Sequence, residues 1–222
     1  METYDLEPVL GHLVIRVDGR AVLLDTGSPC SYGTVPALTL AGRTWQLRAE
    51  PVLMERIGTV FGHRVDVLLG TDVLGAVPLL VDGPGGRVVF GMAVSTGRPV
   101  IPLALPCGVP EVTLVHESAS AVAFLDTGAP LSYATPDAVA GRAPDGHAED
   151  FHPLVGSFTV PTYQLEVTVG ARPFGARFGV LPEQLAPLRQ TVGERWILGV
   201  EFFRERLLLL DLAGKVAVDM TE

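Results

Sequence analysis

Apolar residues in this chain come in short blocks separated by Gly, Pro, Asp and Ser, a spacing that predicts many short strands and few helices. Gln164-Leu165-Glu166-Val167-Thr168-Val169 alternates polar with apolar positions, which predicts a strand with one buried face. A turn over 170–174 leads into another predicted strand over 176–181. Residues 79–82 and 208–211 are apolar runs ending in Asp. Each is followed by glycine and then by β-branched residues, Val88-Val89 and Val216-Ala217-Val218, so each predicts a hairpin. Helical patterns are confined to 136–141, 183–191 and the short stretches after Gly70 and Gly199. Residues 143–150 are polar and contain Gly and Pro, which predicts a mobile loop. Pro99, Pro102, Pro106 and Pro110 rule out a helix or a central strand over 98–110, leaving an extended, partly buried linker. The fold class expected is mainly β.

The pattern repeats. Ala21-Val22-Leu23-Leu24-Asp25-Thr26-Gly27-Ser28-Pro29-Cys30-Ser31-Tyr32 matches Val122-Ala123-Phe124-Leu125-Asp126-Thr127-Gly128-Ala129-Pro130-Leu131-Ser132-Tyr133. A second match follows in each half: Leu68-Leu69-Gly70-Thr71-Asp72 against Ile197-Leu198-Gly199-Val200-Glu201. The two hairpins are the third, with Asp82 and Asp211 each 12 residues beyond the matching glycine. Asp25 to Gly70 spans 45 residues and Asp126 to Gly199 spans 73, so the second half carries the longer middle. The expected organisation is a first lobe over 1–98, a linker over 99–110 and a second lobe over 111–222.

A carboxylate ending an apolar strand is costly to bury alone. Two of them, brought together by a repeat, can share a proton and a water. Asp25 and Asp126 are therefore the candidate catalytic pair, with no metal or cofactor required. Gly27 and Gly128 allow close backbone approach. Thr26 and Thr127 can hydrogen-bond between the two loops. Ser28 can donate its hydroxyl to Asp25 whereas Ala129 cannot, which predicts that Asp25 is the more acidic member and Asp126 keeps the proton. A structural alternative is a pair of turns in a duplicated β domain, with each Asp capping local amides.

These residues resemble the pepsin and retropepsin superfamily of aspartic proteases. The likeness rests on Asp25-Thr26-Gly27-Ser28 and Asp126-Thr127-Gly128-Ala129, each with its later apolar-apolar-Gly element, and covers nearly the whole chain. It implies an acid-protease fold of two pseudo-symmetric, β-barrel-like lobes with a cleft between them. It implies an interlobe sheet built from residues 13–17 and 207–218. A peptide or protein substrate follows from it, and a monomer, since one chain supplies both lobes. It also implies a flap. The first half is too short for one, which places the flap at 155–163, with Gly156, Ser157 and Phe158 near its tip and Tyr163 in the place of a flap tyrosine. A weakly active or non-catalytic peptide-binding module on the same fold is the alternative function.

Composition changes this picture little. The net charge of −9 argues against nucleic acid and anionic membranes as partners. No run of about 18 apolar residues predicts a membrane span. The opening Met1-Glu2-Thr3-Tyr4-Asp5 does not read as a secretory signal. Cys30 and Cys107, the chain's 2 cysteines, are expected to be free buried thiols, which fits a reducing cytoplasm. His147, Glu149, Asp150 and His152 could hold a metal but read more simply as a solvated loop. Gly83-Pro84-Gly85-Gly86 reads as a hairpin turn. His12, His63 and His116 read as surface or satisfied strand positions, and Trp45 and Trp196 as core or cleft-wall aromatics.

Overall fold

Short β-branched and leucine-rich runs separated by turn residues give a chain that is mainly β. The computed structural model describes residues 1–9, 11–93, 97–152, 155–181, 193 and 195–221. The helix predicted over 183–191 lies outside the described residues.

One six-stranded sheet has the order β2 (Glu7–Val9), β3 (His12–Val17), β4 (Arg20–Leu24), β9 (Val67–Leu69), β5 (Tyr32–Gly33), β8 (Arg48–Ala49). A two-stranded ribbon, β6 (Ala37–Leu40) with β7 (Arg43–Gln46), lies between β5 and β8 in the chain. A seven-stranded sheet has the order β13 (Glu111–His116), β14 (Ala119–Leu125), β19 (Trp196–Leu198), β15 (Ser132–Tyr133), β18 (Arg172–Gly179), β17 (Gly156–Val169), β16 (Gly146–His152). In it, β13 also pairs with β17. The matched motifs occupy matched places. β4 runs parallel to β9 with Leu24 opposite Leu69, and β14 runs parallel to β19 with Leu125 opposite Leu198.

The third sheet draws on both halves of the chain. Its order is β1 (Glu2–Asp5), β11 (Arg87–Phe90), β10 (Leu79–Asp82), β20 (Leu207–Asp211), β21 (Val216–Asp219), β12 (Ile101–Pro102). β10 and β20 pair antiparallel, with Leu80 opposite Leu209. The C-terminal segment joins this sheet as expected. The N-terminal strand that joins it is β1, however, not 13–17. Those residues form β3, whose two edges are taken by β2 and β4. The proline-rich connection supplies only the edge strand β12, where a missing N–H is tolerated. Leu24, Leu69, Phe90, Leu125, Leu198 and Phe203 belong to one buried cluster, so the two halves share a core.

Two segments differ from expectation. α1 (Pro51–Phe61) is absent from the elements the sequence predicts, although its signals are present. Pro51 starts it, Met54, Ile57 and Phe61 face inward, and Gly62 ends it in the left-handed region at φ 61°. Residues 143–150, predicted as a loop, contribute to β16, an edge strand that pairs antiparallel with β17 from Gly146 to His152. The turn before β18 is also shorter than predicted, since β18 begins at Arg172. The other helical patterns are real but brief. α2 (Thr71–Leu74) follows Gly70, α3 (Val200–Arg204) follows Gly199, and Pro136–Val139 forms a 3-10 turn. Among the described residues no helix is long and apolar enough to cross a membrane.

Candidate functional site

Asp25 follows β4 directly and Asp126 follows β14. The Asp25 N–H donates to Leu69 O at 2.9 Å, and the Asp126 N–H donates to Leu198 O at 2.9 Å. Each parallel ladder therefore carries on to the carboxylate-bearing residue and fixes where its side chain starts. Downstream, the Gly70 N–H donates to Ser31 Oγ at 2.9 Å and the Gly199 N–H to Ser132 Oγ at 3.0 Å. The Thr71 and Val200 N–H groups donate to Ser28 O and Ala129 O, both at 2.8 Å. Close packing is what demands glycine here. A Cβ on Gly70 would stand 2.4 Å from Cys30 O, and one on Gly199 would stand 2.6 Å from Ala129 O. Their φ values, −91° and −83°, suit any residue.

The two loops are tied to each other by four buried hydrogen bonds. The Thr26 N–H donates to Thr127 Oγ1 at 2.9 Å, and the Thr127 N–H donates to Thr26 Oγ1 at 2.9 Å. Thr26 Oγ1 donates to Leu125 O at 2.6 Å, and Thr127 Oγ1 donates to Leu24 O at 2.9 Å. Both threonines are 0% exposed. The glycines cross over in the same way. A Cβ on Gly27 would lie 2.4 Å from Asp126 Oδ2, and one on Gly128 would lie 2.4 Å from Asp25 Oδ1. Each carboxyl group thus packs against the other's loop, and both line one cavity.

The donors around the pair are unequal. Asp25 accepts from the Ser28 N–H at 3.0 Å. Asp126 accepts from Gly128 at 2.8 Å and from Ala129 at 3.2 Å. Ser28 Oγ donates to Cys30 O at 2.8 Å, not to Asp25 as predicted. The expected reason for an acidic Asp25 is thus missing. Burial, and next the charge of Asp126, raise Asp25 well above the usual carboxylate range. Burial raises Asp126 too, and the charge of Asp150 adds to it, but the Gly128 and Ala129 N–H groups work against them. The pair titrates as a unit. With one backbone donor to Asp25 and two to Asp126, hydrogen bonding favours ionised Asp126, opposite to the preference expected from Ser28.

This arrangement has a measurable cost. Above an unfolded value near 3.9 and up to the raised folded value, the folded chain holds more protons on this pair than the unfolded chain does. Stability therefore falls as pH rises through that window. His12 acts oppositely, because burial lowers its pKa from 6.5 to about 4. The readout is accordingly the difference in Tm between the parent chain and Asp25→Asn. The variant should gain on the parent steadily from about pH 4 upward, by at most roughly 1.4 kcal/mol for each pH interval of one crossed inside that window. A difference that does not change with pH would contradict the assignment.

A cavity of about 460 Å³ opens above the pair and is lined by residues of both halves, including Asp25, Gly27, Asp126 and Gly128. Ser28 and Ala129 line it as well, whereas Thr26 and Thr127 lie beneath it, fully buried. β16 and β17 form a hairpin with His152 opposite Gly156, and Val155 N–H closes the turn on His152 O at 3.0 Å. Asp150, Phe151, His152 and Phe158 of this hairpin reach the cavity. Gly156 and Ser157 do not line it. Tyr163 lies further along β17, opposite Phe178 and against the main core.

Several residues have places the sequence did not suggest. His12 is neither surface nor a simple strand position. It stacks on Phe61 with centroids 4.2 Å apart, and among the described residues its buried Nδ1 has no hydrogen-bond partner. His116 Nδ1 stands 2.8 Å from Glu166 O, to which an Nδ1–H tautomer donates, and His63 is exposed. Trp196 is buried in the core, and Trp45 donates to Leu40 O at 3.0 Å from the edge of it. Both cysteines are free, but Cys107 is exposed and Cys30 half-buried, not the buried thiols expected. His147 and Glu149 are exposed while Asp150 and His152 line the cavity, so strand alternation divides that cluster between two faces. Among the described residues no group of three His, Cys, Asp or Glu could hold a metal ion. The only sequence signal for Asp150 and His152 was their shared parity along a polar stretch. No protein-family model matches the chain, and no curated protein matches it at a significant level.

Proposed function

We propose that this chain is an aspartic peptidase, and that its two related halves form an acid-protease fold with a substrate cleft between them. The observation that carries this reading is the crossed pair. Asp25 and Asp126 line one cavity, and each is packed against the glycine of the other's loop. A capping role for each Asp in its own turn needs no such crossing.

The pseudo-symmetry is supported by matched bonds at Gly70 and Gly199 and by the reciprocal threonines. It is supported too by the β10–β20 register. Leu80 and Leu209 hold the same place relative to Gly70 and Gly199, and they face each other as they would across a local two-fold axis.

In the proposed reaction a water sits between the carboxyl groups. Ionised Asp126 takes a proton from it while its oxygen attacks the peptide carbonyl carbon. Protonated Asp25 donates to the carbonyl oxygen, giving a neutral tetrahedral diol. Asp126 then passes its proton to the amide nitrogen, and Asp25 recovers one from a diol hydroxyl. The C–N bond breaks, releasing an acid and an amine, and the pair again holds one proton. Both acids come from one chain, so a monomer suffices.

The test is digestion of an unfolded polypeptide across about pH 3 to 8, with products read by mass spectrometry. Cleavage is expected, with one solvent oxygen in each new carboxyl terminus. A statine-type peptide, whose hydroxyl replaces the attacking water, should stop it. Peptide affinity without products at any pH would favour the binding-module reading.

A further inference from the structure

The cavity contains a third carboxylate that the proposed reaction does not use. Asp150 lies on β16 opposite Phe158 of β17, and with its neighbours Phe151 and His152 it lines the cavity. Its Oδ2 accepts from the Tyr133 hydroxyl and its Oδ1 accepts from the Phe151 N–H at 2.7 Å. Both donors are neutral. They hold the carboxylate in one orientation and leave half of its acceptor positions open. Among the described residues no Arg or Lys forms an ion pair with it.

Its surroundings make that lack of a counter-charge matter. The cavity wall is largely apolar, with Leu53, Leu68, Phe124, Phe158 and Ile197 among its members. The acids in the lining are Asp25, Asp126 and Asp150, and among the described residues no Lys or Arg lines it. Burial lowers the His152 pKa and raises that of Asp150, against the pull of its Tyr133 and Phe151 donors, so a cation entering the pocket would favour the ionised carboxylate. An anchored carboxylate beside apolar walls favours an occupant that brings an apolar stem and a cationic head. A lysine or arginine side chain has that form.

We infer that Asp150 is a specificity-determining residue, which makes this pocket select peptides carrying Lys or Arg at one fixed position relative to the cleaved bond. Tyr133 is its positioning residue, holding the carboxylate toward the pocket. The inference rests on the peptidase reading, so its test needs an arm that does not depend on turnover.

Cleavage-site profiling of a peptide mixture comes first. The parent chain should enrich Lys or Arg at one position by about 10- to 100-fold over norleucine, the range expected of a charge-assisted hydrogen bond. Asp150→Asn keeps the shape and an acceptor for Tyr133 but loses the charge. It should remove that enrichment while still cleaving at apolar sites. The second arm is equilibrium binding of paired Lys and norleucine peptides to the Asp25→Asn chain, with and without Asp150→Asn. A preference for Lys that disappears with Asp150→Asn supports the inference even if the parent chain cleaves nothing, in which case only the peptidase reading falls. Equal binding of the two peptides, or an enrichment that Asp150→Asn leaves intact, overturns it.

Discussion

Asp25→Asn and Asp126→Asn should each reduce peptide hydrolysis by at least about 10³-fold, because each removes one of the two proton-transfer groups and breaks the shared-proton pair. The loss should fall on kcat, since an asparagine keeps the shape of the cavity floor and leaves substrate contacts with the walls in place. Folding should not suffer. Both carboxyls are raised in pKa by burial, so replacing either with a neutral isostere relieves a desolvation cost instead of breaking an ion pair. The measurement is a steady-state assay on both variants alongside a thermal melt. Retention of more than a tenth of the parent activity in either folded variant would exclude the mechanism. Because the pair works as a unit, the double variant should be no worse than either single one.

The next largest effect is expected at the threonines beneath the pair. Thr26→Val or Thr127→Val should each destabilise the chain by about 2–4 kcal/mol, since each deletion leaves two buried backbone groups without partners. For Thr26 these are the Thr127 N–H and the Leu125 carbonyl; for Thr127 they are the Thr26 N–H and the Leu24 carbonyl. Volume is nearly unchanged, so the loss reports hydrogen bonding rather than a cavity. Thr→Ser at either site retains the hydroxyl and should recover most of the stability. Denaturant melts of the single and double variants would measure the coupling. The double loss should depart from the sum of the singles, because the two residues touch within one network in which the N–H of each donates to the hydroxyl of the other. Strict additivity would argue that the loops are not held by this lattice.

Much of the site was legible in the chain because its parts are contiguous. Asp-Thr-Gly followed by a small residue, Pro, and Ser-Tyr carries its own instructions: a strand end, a tight turn, and a serine to receive the later glycine N–H. The same holds for Gly70 and Gly199, whose spacing from the hairpins is short and equal. α1 was also encoded, in Pro51, the inward spacing of Met54, Ile57 and Phe61, and Gly62. The helical period of those three apolar positions is its signal, lying in a half otherwise dominated by strand patterns.

Other features had no local signal. Gly146–His152 has few apolar residues, and only pairing with β17 makes it a strand. Ser28 could have turned its hydroxyl to Asp25 or to Cys30 O, and nothing in Asp25-Thr26-Gly27-Ser28 decides between them. His12 stacks on Phe61 of α1, remote from it in the chain, so its burial could not be read from its neighbours.

Legible in the amino-acid order were the mainly β class, the repeated Asp-Thr-Gly element and a carboxylate at the end of each preceding strand, because motif spacing and turn chemistry are properties of consecutive residues. Tertiary structure decided which carboxyl has more donors, which strand completes the mixed sheet, and that Asp150 enters the cavity. Those outcomes depend on groups far apart in the chain. A buried polar group takes whichever partner the packing brings within about 3 Å, and only the folded chain specifies which one that is.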